Sequence, residues 1–431
     1  MTSTPTLTPL LFLRPGRWTP SQIVIDRKVD LVTPMLTPLT YEGLVDDVLG
    51  IRTGGCLSVK RSLVDHRDDD DGDGGGGTGR RRGRPHPGAD GGDPAVLLPL
   101  NDADPLYSEV RNMHVESFGS FLGGQAKALR ESHSQFTSRD AARSRDLAEI
   151  HQFVKQIPAF ARNLRSLRNH IHVAERVKGA AESGPFRQRW MTERGMLEGE
   201  SCYDALEDLL AADAPPYRFL RLLCLQSLTG NGIKSSKYDS LRREAVQTYG
   251  YEYLGVLNDL ERAGLLRRRE TFSLESMATP YSTLRKALDL IDADVDPSDP
   301  RDVSYVSSGY APMTVRWVEK AMDGYAGAED AMMELPTGSG GRWVDVEQRR
   351  DAETLAESLA RGKGGTLRSL AGGGGGDGRP VLLVYYVGGV TFMELAALRF
   401  LSRGGTGFPY RIVCCATEVV NGSTLLRSLS C

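Results

Sequence analysis

At 431 residues the chain exceeds one typical core, and its 40% apolar content is enough to build two or three domains. Its 48 glycines are bunched, so the folded part is smaller than the length implies. A formal net charge of -3 gives no global pull toward nucleic acid or acidic lipid, and no apolar run is long enough to span a bilayer.

Residues 1–20 are rich in Thr and Pro and read as an unstructured or truncated remnant; Pro9–Leu13 is too short for a secretory core, and no basic stretch precedes it. Ser21–Arg27 then brings a β-branched run, Ile23-Val24-Ile25, closed by Asp26, which predicts a buried parallel strand. Thr33-Pro34 and Thr37-Pro38 are helix-start pairs, and Tyr41–Leu49 reads as a helix stopped by Gly50. Residues 65–93 pass through an acidic run at Asp68–Asp73, four glycines, and a basic cluster at Arg80–Arg84. Such a segment cannot bury enough surface to offset its ordering entropy and is expected to be a disordered surface insertion.

A short strand is expected at Ala95–Leu100 and a helix from Asp104 to Ser134. Ser144–Glu182 is the clearest element: Leu147, Ile150, Val154, Ile157, Ala161, Leu164, Leu167, Ile171, Ala174 and Val177 recur at steps of three and four. Pro158 interrupts this pattern and predicts a kink or broken turn. The two helices should pack as an antiparallel hairpin with its tip near Thr137–Arg143. Helices follow at Tyr203–Leu210, Tyr217–Leu228, Leu241–Gly250 and Tyr251–Ala263. A short one is expected at Ala352–Leu359, and residues 361–379 read as a glycine-rich loop. The end of the chain is α/β in style. Val381–Val387 is a strand and Gly388-Gly389 a tight turn. Thr391 and Glu394 form a capping box for a helix to Leu401, Tyr410–Cys415 is a strand, and Asn421-Gly422 a turn. The simplest assembly pairs strands 23–26 and 381–387 in one sheet, with the helical region as a long excursion between them.

Little in this pattern suggests catalysis. Gly388-Gly389 before a capped helix resembles an anion-binding turn, but no G-x-G-x-x-G or G-K-[ST] accompanies it. Asp26, Arg27 and Asp30 form a charged trio after a strand, best read as local backbone caps or ion pairs. His170 and His172 lie two apart on a helix and make a poor chelate, and neither Ser227 nor Ser423 sits in a nucleophile elbow. The six cysteines are scattered and read as reduced thiols. The proline-bearing helix remains open to two readings: its stripe serves internal packing, or part of it receives a partner helix.

The run Ile25-Asp26-Arg27-x-x-Asp30-x-x-Thr33-Pro34, followed by Leu39-Thr40-Tyr41-Glu42-Gly43-Leu44-x-Asp46, resembles the signature of the SM family of SNARE regulators. Three further blocks are similar to the vacuolar protein-sorting branch of that family, the fusion-regulating subunit of the HOPS and CORVET tethers. They are Arg242–Glu252, Leu257–Leu266 and Val387–Leu401. The resemblance implies an arch-shaped α/β protein with a large helical insertion. Its domain 2 would be a discontinuous parallel sheet (21–103 and 376–431), interrupted by a helical domain 3a (104–212) and a domain 3b (213–375), with most of domain 1 absent. It implies that the hairpin of domain 3a templates Qa- and R-SNARE helices, with Val154, Ile157, Pro158, Ala161, Arg162 and Arg165 facing them. Asp26, Arg27, Asp30, Thr33, Pro34, Tyr41, Gly388 and Gly389 would be structural signature residues.

It further implies a helical-solenoid partner subunit seated on domain 3b and the rear of domain 2, with Asn258 and Glu261 as scaffold. The chain would use no enzymatic activity, cofactor, metal or nucleic acid, and would sit in the cytoplasm, peripheral on late endosome and vacuole or lysosome membranes. Two alternatives stand beside this: a tether scaffold that no longer handles SNAREs, and a nucleotide-binding α/β enzyme at Gly388–Thr391.

Overall fold

The structure, a computed structural model, describes residues 10–14, 21–60, 95–137, 147–269, 279–324, 343–347, 379–404 and 407–429. The insertion at 65–93, the hairpin tip, the short helix expected at Ala352–Leu359 and the glycine-rich stretch through 378 lie outside them. The first elements are β1 (Leu10–Arg14), β2 (Ser21–Asp26), α1 (Val32–Met35), α2 (Tyr41–Leu49), β3 (Ile51–Arg52), β4 (Cys56–Lys60) and β5 (Ala95–Pro99). Next come α3 (Pro105–Val110), α4 (Phe118–Thr137), α5 (Leu147–Ala181), α6 (Gly184–Glu198), α7 (Tyr203–Ala211) and α8 (Pro216–Thr229). They are followed by β6 (Ile233–Lys234), α9 (Ser235–Tyr249), α10 (Glu252–Arg262), β7 (Arg268–Arg269), α11 (Tyr281–Ala287) and α12 (Met313–Gly324). The chain closes with β8 (Trp343–Glu347), β9 (Val381–Val387), α13 (Phe392–Ser402), β10 (Arg411–Ala416) and α14 (Gly422–Leu429).

Two compact units result. One comprises residues 1–47, 114–116 and 181–431; the other comprises 48–113 and 117–180. The short strands at 51–60 and 95–99, placed by the sequence boundaries with the first part of the sheet domain, group instead with the long helices.

In the first unit, a five-stranded sheet runs in the order β10-β9-β2-β1-β8. The expected pairing of residues 23–26 with 381–387 is present: β2 and β9 are parallel, with Ile23 opposite Val384 and Ile25 opposite Tyr386, and all four are buried. β10 continues the parallel set, whereas β1 runs antiparallel to β2. The expectation that residues 1–20 lack structure is thus corrected at Leu10–Arg14. This short apolar run finds backbone partners on both sides, in β2 and β8, and so escapes the cost of an unpaired strand.

The helices of this unit share a core containing Leu206, Phe219, Leu223, Leu257, Leu260 and Trp317. Trp317 belongs to α12. Arg221 is buried within α8. It donates to the carbonyl of Met35 at 2.6 Å and to Asp47 at 2.6 Å, tying α8 to the turn after α1. Asn421-Gly422 is not a free turn: the Asn421 side chain accepts from the Thr424 N–H at 2.9 Å and opens α14 as a helix cap.

The second unit holds the meander β3-β4-β5 and helices α3, α4 and α5. The single helix expected over Asp104–Ser134 is two helices. Between them His114 bridges Thr40, and the Val115 N–H donates to the Leu39 carbonyl at 2.9 Å, so these backbone groups are taken from helical use. α5 spans 35 residues and passes through Pro158 without a break, correcting the expected broken turn. At 1.5 Å per residue it is about 52 Å long. Its second half is anchored: Leu167, Val173, Ala174 and Val177 are buried. Burying a side chain such as valine or leucine stabilises by roughly 1.5–3 kcal/mol, so these few contacts hold the helix.

Asp104 supplements that anchor. Its carboxylate caps α3 through the Leu106 N–H, accepts from Ser166 at 2.7 Å, and lies 3.2 Å from His170 Nε2, whose ring stacks on Tyr107. Partial burial pushes this carboxyl up, but the hydrogen bonds from His170 and Ser166 outweigh it and hold it at about 2. A depressed pKa stabilises above the unfolded value of about 3.9 and is lost as pH falls through the folded one. Asp104→Ala is therefore expected to destabilise by about 1 kcal/mol at pH 7. Urea midpoints of the two proteins should converge as the pH falls from 4 toward 2.

Candidate functional site

Most of the signature residues are interior scaffold, whereas Gly388 is exposed and Asp26 half-buried. Arg27 is 4% exposed, and its guanidinium donates to both Glu394 oxygens, at 2.9 and 2.7 Å, and to the Asp30 carbonyl at 2.9 Å. Burial opposes its charge, but Glu394 and Asp30 more than compensate and keep it firmly cationic. Asp30 accepts from the N–H groups of Val32 and Thr33 and from the Thr33 hydroxyl, which also touches the Tyr310 hydroxyl at 3.1 Å. Burial pushes the Asp30 carboxyl up, against the pull of Arg27. Asp26 lies at the edge of this cluster and accepts from the Lys28 N–H. Thr33, Pro34 and Tyr41 are buried.

Glu394 completes the capping box foreseen with Thr391 and also accepts from Thr314 at 2.5 Å. Its own carboxylate therefore fills the N-terminus of α13. Gly388 and Gly389 have φ of +87° and +100°, and a Cβ on Gly389 would lie 2.7 Å from Val420. The double glycine serves a tight turn over Val420, and a phosphate would meet both the carboxylate and the side chain. This removes the basis for a nucleotide site at Gly388–Thr391.

Two exposed surfaces among the described residues bear on the expected partners. One is the first half of α5. Ile157 is 45% exposed, and Pro158, Ala161, Arg162 and Arg165 are exposed as well; the Val154 side chain lies outside the described residues. Their spacing places all six positions on one side of the helix. Among the described residues, Ile157, Pro158, Ala161, Arg162 and Arg165 share one exposed face. Beside them lies a feature the sequence did not show, a groove of about 460 Å³ between α4 and α5. Ala126, Leu129, Phe160, Leu164, Leu167 and Ile171 line it, with Arg130, Arg168 and His172 around them. Leu164 and Ile171 were legible as stripe residues. The groove itself depends on how α4 aligns with α5, which no local pattern encodes.

The other surface is one side of α10. Leu257 and Leu260 are buried on its inner side, and Arg242 of α9 fixes the helix by donating to Asn258 at 2.6 Å and Glu261 at 2.8 Å. Asn258 and Glu261 act here as scaffold. On the outer side Tyr251, which immediately precedes α10, is 86% exposed and Leu254 is 40% exposed. Gly255 follows them, with nothing within 4 Å of where its Cβ would stand. Sequence reasoning placed this segment near a partner but did not single out Tyr251 or Leu254. The signal was available for Tyr251, which helical spacing puts opposite Leu260, but not for Leu254, which continues the step of three to Leu257 and Leu260.

Comparison with known proteins gives a consistent result. A family model described as the Sec1 family matches residues 5–428. The chain is 35% identical over 414 residues to vacuolar protein sorting-associated protein 33A of Rattus norvegicus, covering 94% of this chain and 61% of the relative. It is 31% identical over 410 residues to the vacuolar protein-sorting-associated protein 33 homolog of Arabidopsis thaliana, again covering 94% and 61%. It therefore spans 61% of the length of these curated relatives. Among solved structures, its fold is similar to the SM protein Vps45 in complex with the Qa SNARE Tlg2. The TM-score is 0.59 at 14% identity, over 98% of this chain and 66% of that one. It is also similar to the Unc18–syntaxin 1 complex from Monosiga brevicollis, with a TM-score of 0.58 at 15% identity, over 98% and 68%.

Proposed function

The chain belongs to the Sec1 family, and on that premise we propose that it is a non-enzymatic regulator of SNARE-mediated fusion in vacuolar protein sorting. In this reading the first half of α5 holds SNARE helices side by side, as a subunit of a HOPS- or CORVET-type tether. The observation that carries the reading is the exposed face of Ile157, Pro158, Ala161, Arg162 and Arg165, on a helix whose other half is firmly packed. A rigid, open helical face suits a partner that is itself a helix. Holding two such helices together lowers the entropic cost of starting a bundle. The relatives' names and the Qa SNARE bound to a structural neighbour support this choice of partner.

The α10 face is assigned to the helical-solenoid subunit of the tether. Exposed Tyr and Leu beside a glycine allow close helix–helix approach, and tyrosine is a frequent interface anchor. The protein would act peripherally at late endosome and vacuole or lysosome membranes, brought there by its partners. Among the described residues no helix is long and apolar enough to cross a membrane.

The test is binding of Qa- and R-SNARE-motif peptides to the full chain and to the double variant Arg162→Glu, Arg165→Glu. Reversing two exposed charges is expected to weaken binding by about tenfold or more. The helical circular dichroism should be unchanged, because neither side chain is buried. Failure of the folded wild-type chain to bind either peptide at high concentration would refute direct SNARE docking.

A further inference from the structure

The groove between α4 and α5 has a chemistry of its own. Its floor is apolar, with Leu129 supplied by α4 and Phe160 and Leu164 by α5. Arg130 of α4 and Arg168 of α5 also line it, as does His172, which lies 3.7 Å from Glu175. No carboxylate among the described residues pairs with Arg130 or Arg168, so their charge is not spent within the fold. The imbalance extends along the hairpin. α4 and α5 carry eight Lys and Arg against three Glu, in a chain whose net charge is -3. The hairpin is thus a basic arm on an otherwise acidic protein.

Resting on the docking role proposed above, we infer that this groove selects its helix by charge. It takes an amphipathic helix whose apolar stripe is bordered on both sides by Asp or Glu, and it disfavours the same stripe bordered by Lys or Arg. The apolar stripe fills the floor and supplies most of the contact area. The carboxylates on either side meet Arg130 across one border and Arg168 across the other, which fixes the helix in the groove. Charges at a rim act mainly on specificity and on the rate of encounter, and they are screened by salt. A concave apolar floor with an arginine from each helix fits a cylinder better than it fits a flat anionic bilayer.

The experiment uses the full chain and two synthetic helical peptides with an identical leucine stripe, one bordered by Glu and one by Lys. Affinities are measured by fluorescence anisotropy at low and at high salt, for wild type and for Arg130→Glu with Arg168→Glu. The Glu-bordered peptide is expected to bind about tenfold or more tighter at low salt, with the gap narrowing as salt rises. The double variant should reverse the preference, which a merely structural loss would not do. Equal binding of both peptides would overturn charge selection while leaving helix docking intact. Binding of neither would overturn the inference, while binding of the SNARE-motif peptides by the same protein would show that the docking role on the α5 face stands. Sedimentation with phosphatidylserine vesicles that requires Arg130 and Arg168, without peptide binding, would overturn the inference in favour of a lipid surface.

Discussion

Replacing Arg27 with alanine is expected to destabilise the first unit by about 3–5 kcal/mol, the cost of breaking a buried ion pair by removing one partner. Glu394 and Asp30 are fully buried beside it, and Arg27 is the cation both face. Without it, two carboxylates share one dry region, and one or both must take up a proton or admit water. The effect reaches beyond the pair. Glu394 also closes the capping box of α13 and accepts from Thr314, whose hydroxyl receives a hydrogen bond from Tyr386. Arg27 therefore sits where β2, β9, α12 and α13 meet. A typical domain has only about 5–15 kcal/mol in hand, so much of the stability would be lost. Urea unfolding followed by circular dichroism measures it. The double variant Arg27→Met, Glu394→Leu should recover part of the loss, because it leaves one buried carboxylate, Asp30, in place of two. A single variant within about 1 kcal/mol of wild type would show that the network is not what holds these elements together.

If the α10 face seats the proposed solenoid subunit, Tyr251→Asp should abolish that binding while leaving the fold intact. A tyrosine anchor at the centre of an interface is commonly worth 2 kcal/mol or more, or about 30-fold in affinity. Placing a carboxylate in a desolvated contact adds a further penalty. At 86% exposure Tyr251 supports little of its own fold, so stability should barely move. Leu254→Lys, one turn along the same side, should act in the same direction, and SNARE-peptide binding should be unaffected by either. Calorimetric titration of the variants with the purified solenoid subunit decides the matter. Unchanged affinity would place the partner elsewhere.

Local signals read well in this chain. The Ile23-Val24-Ile25 run, the Gly388-Gly389 turn and the Thr391–Glu394 box act over a few residues, and each sits where its chemistry demands. α2 ends at Gly50 as expected, because the αL conformation after a helix favours glycine. Apart from the pairing of β2 with β9, long-range contacts were what the sequence could not show. Arg27 and Glu394 are 367 residues apart, and nothing near either names the other. The break between α3 and α4 arises because Thr40 captures the backbone at His114, overriding a helical pattern. β1 is specified by neighbours on both sides rather than by its own five residues. Helical spacing alone sets which α5 residues share a side, but the choice of that side for a partner helix came from the family resemblance. The groove beside it was not legible, because half its wall comes from α4.

The central claim is that the first half of α5 is the place where a SNARE helix lies. The most direct measurement puts a photo-crosslinking amino acid at Ile157, which is 45% exposed, and a second at Met191 on α6, which is 67% exposed. Each labelled chain is irradiated with Qa- and R-SNARE-motif peptides. Adducts at position 157, suppressed by excess unlabelled peptide and absent at position 191, are the expected outcome. Peptide capture at position 191 with none at 157 would contradict the account.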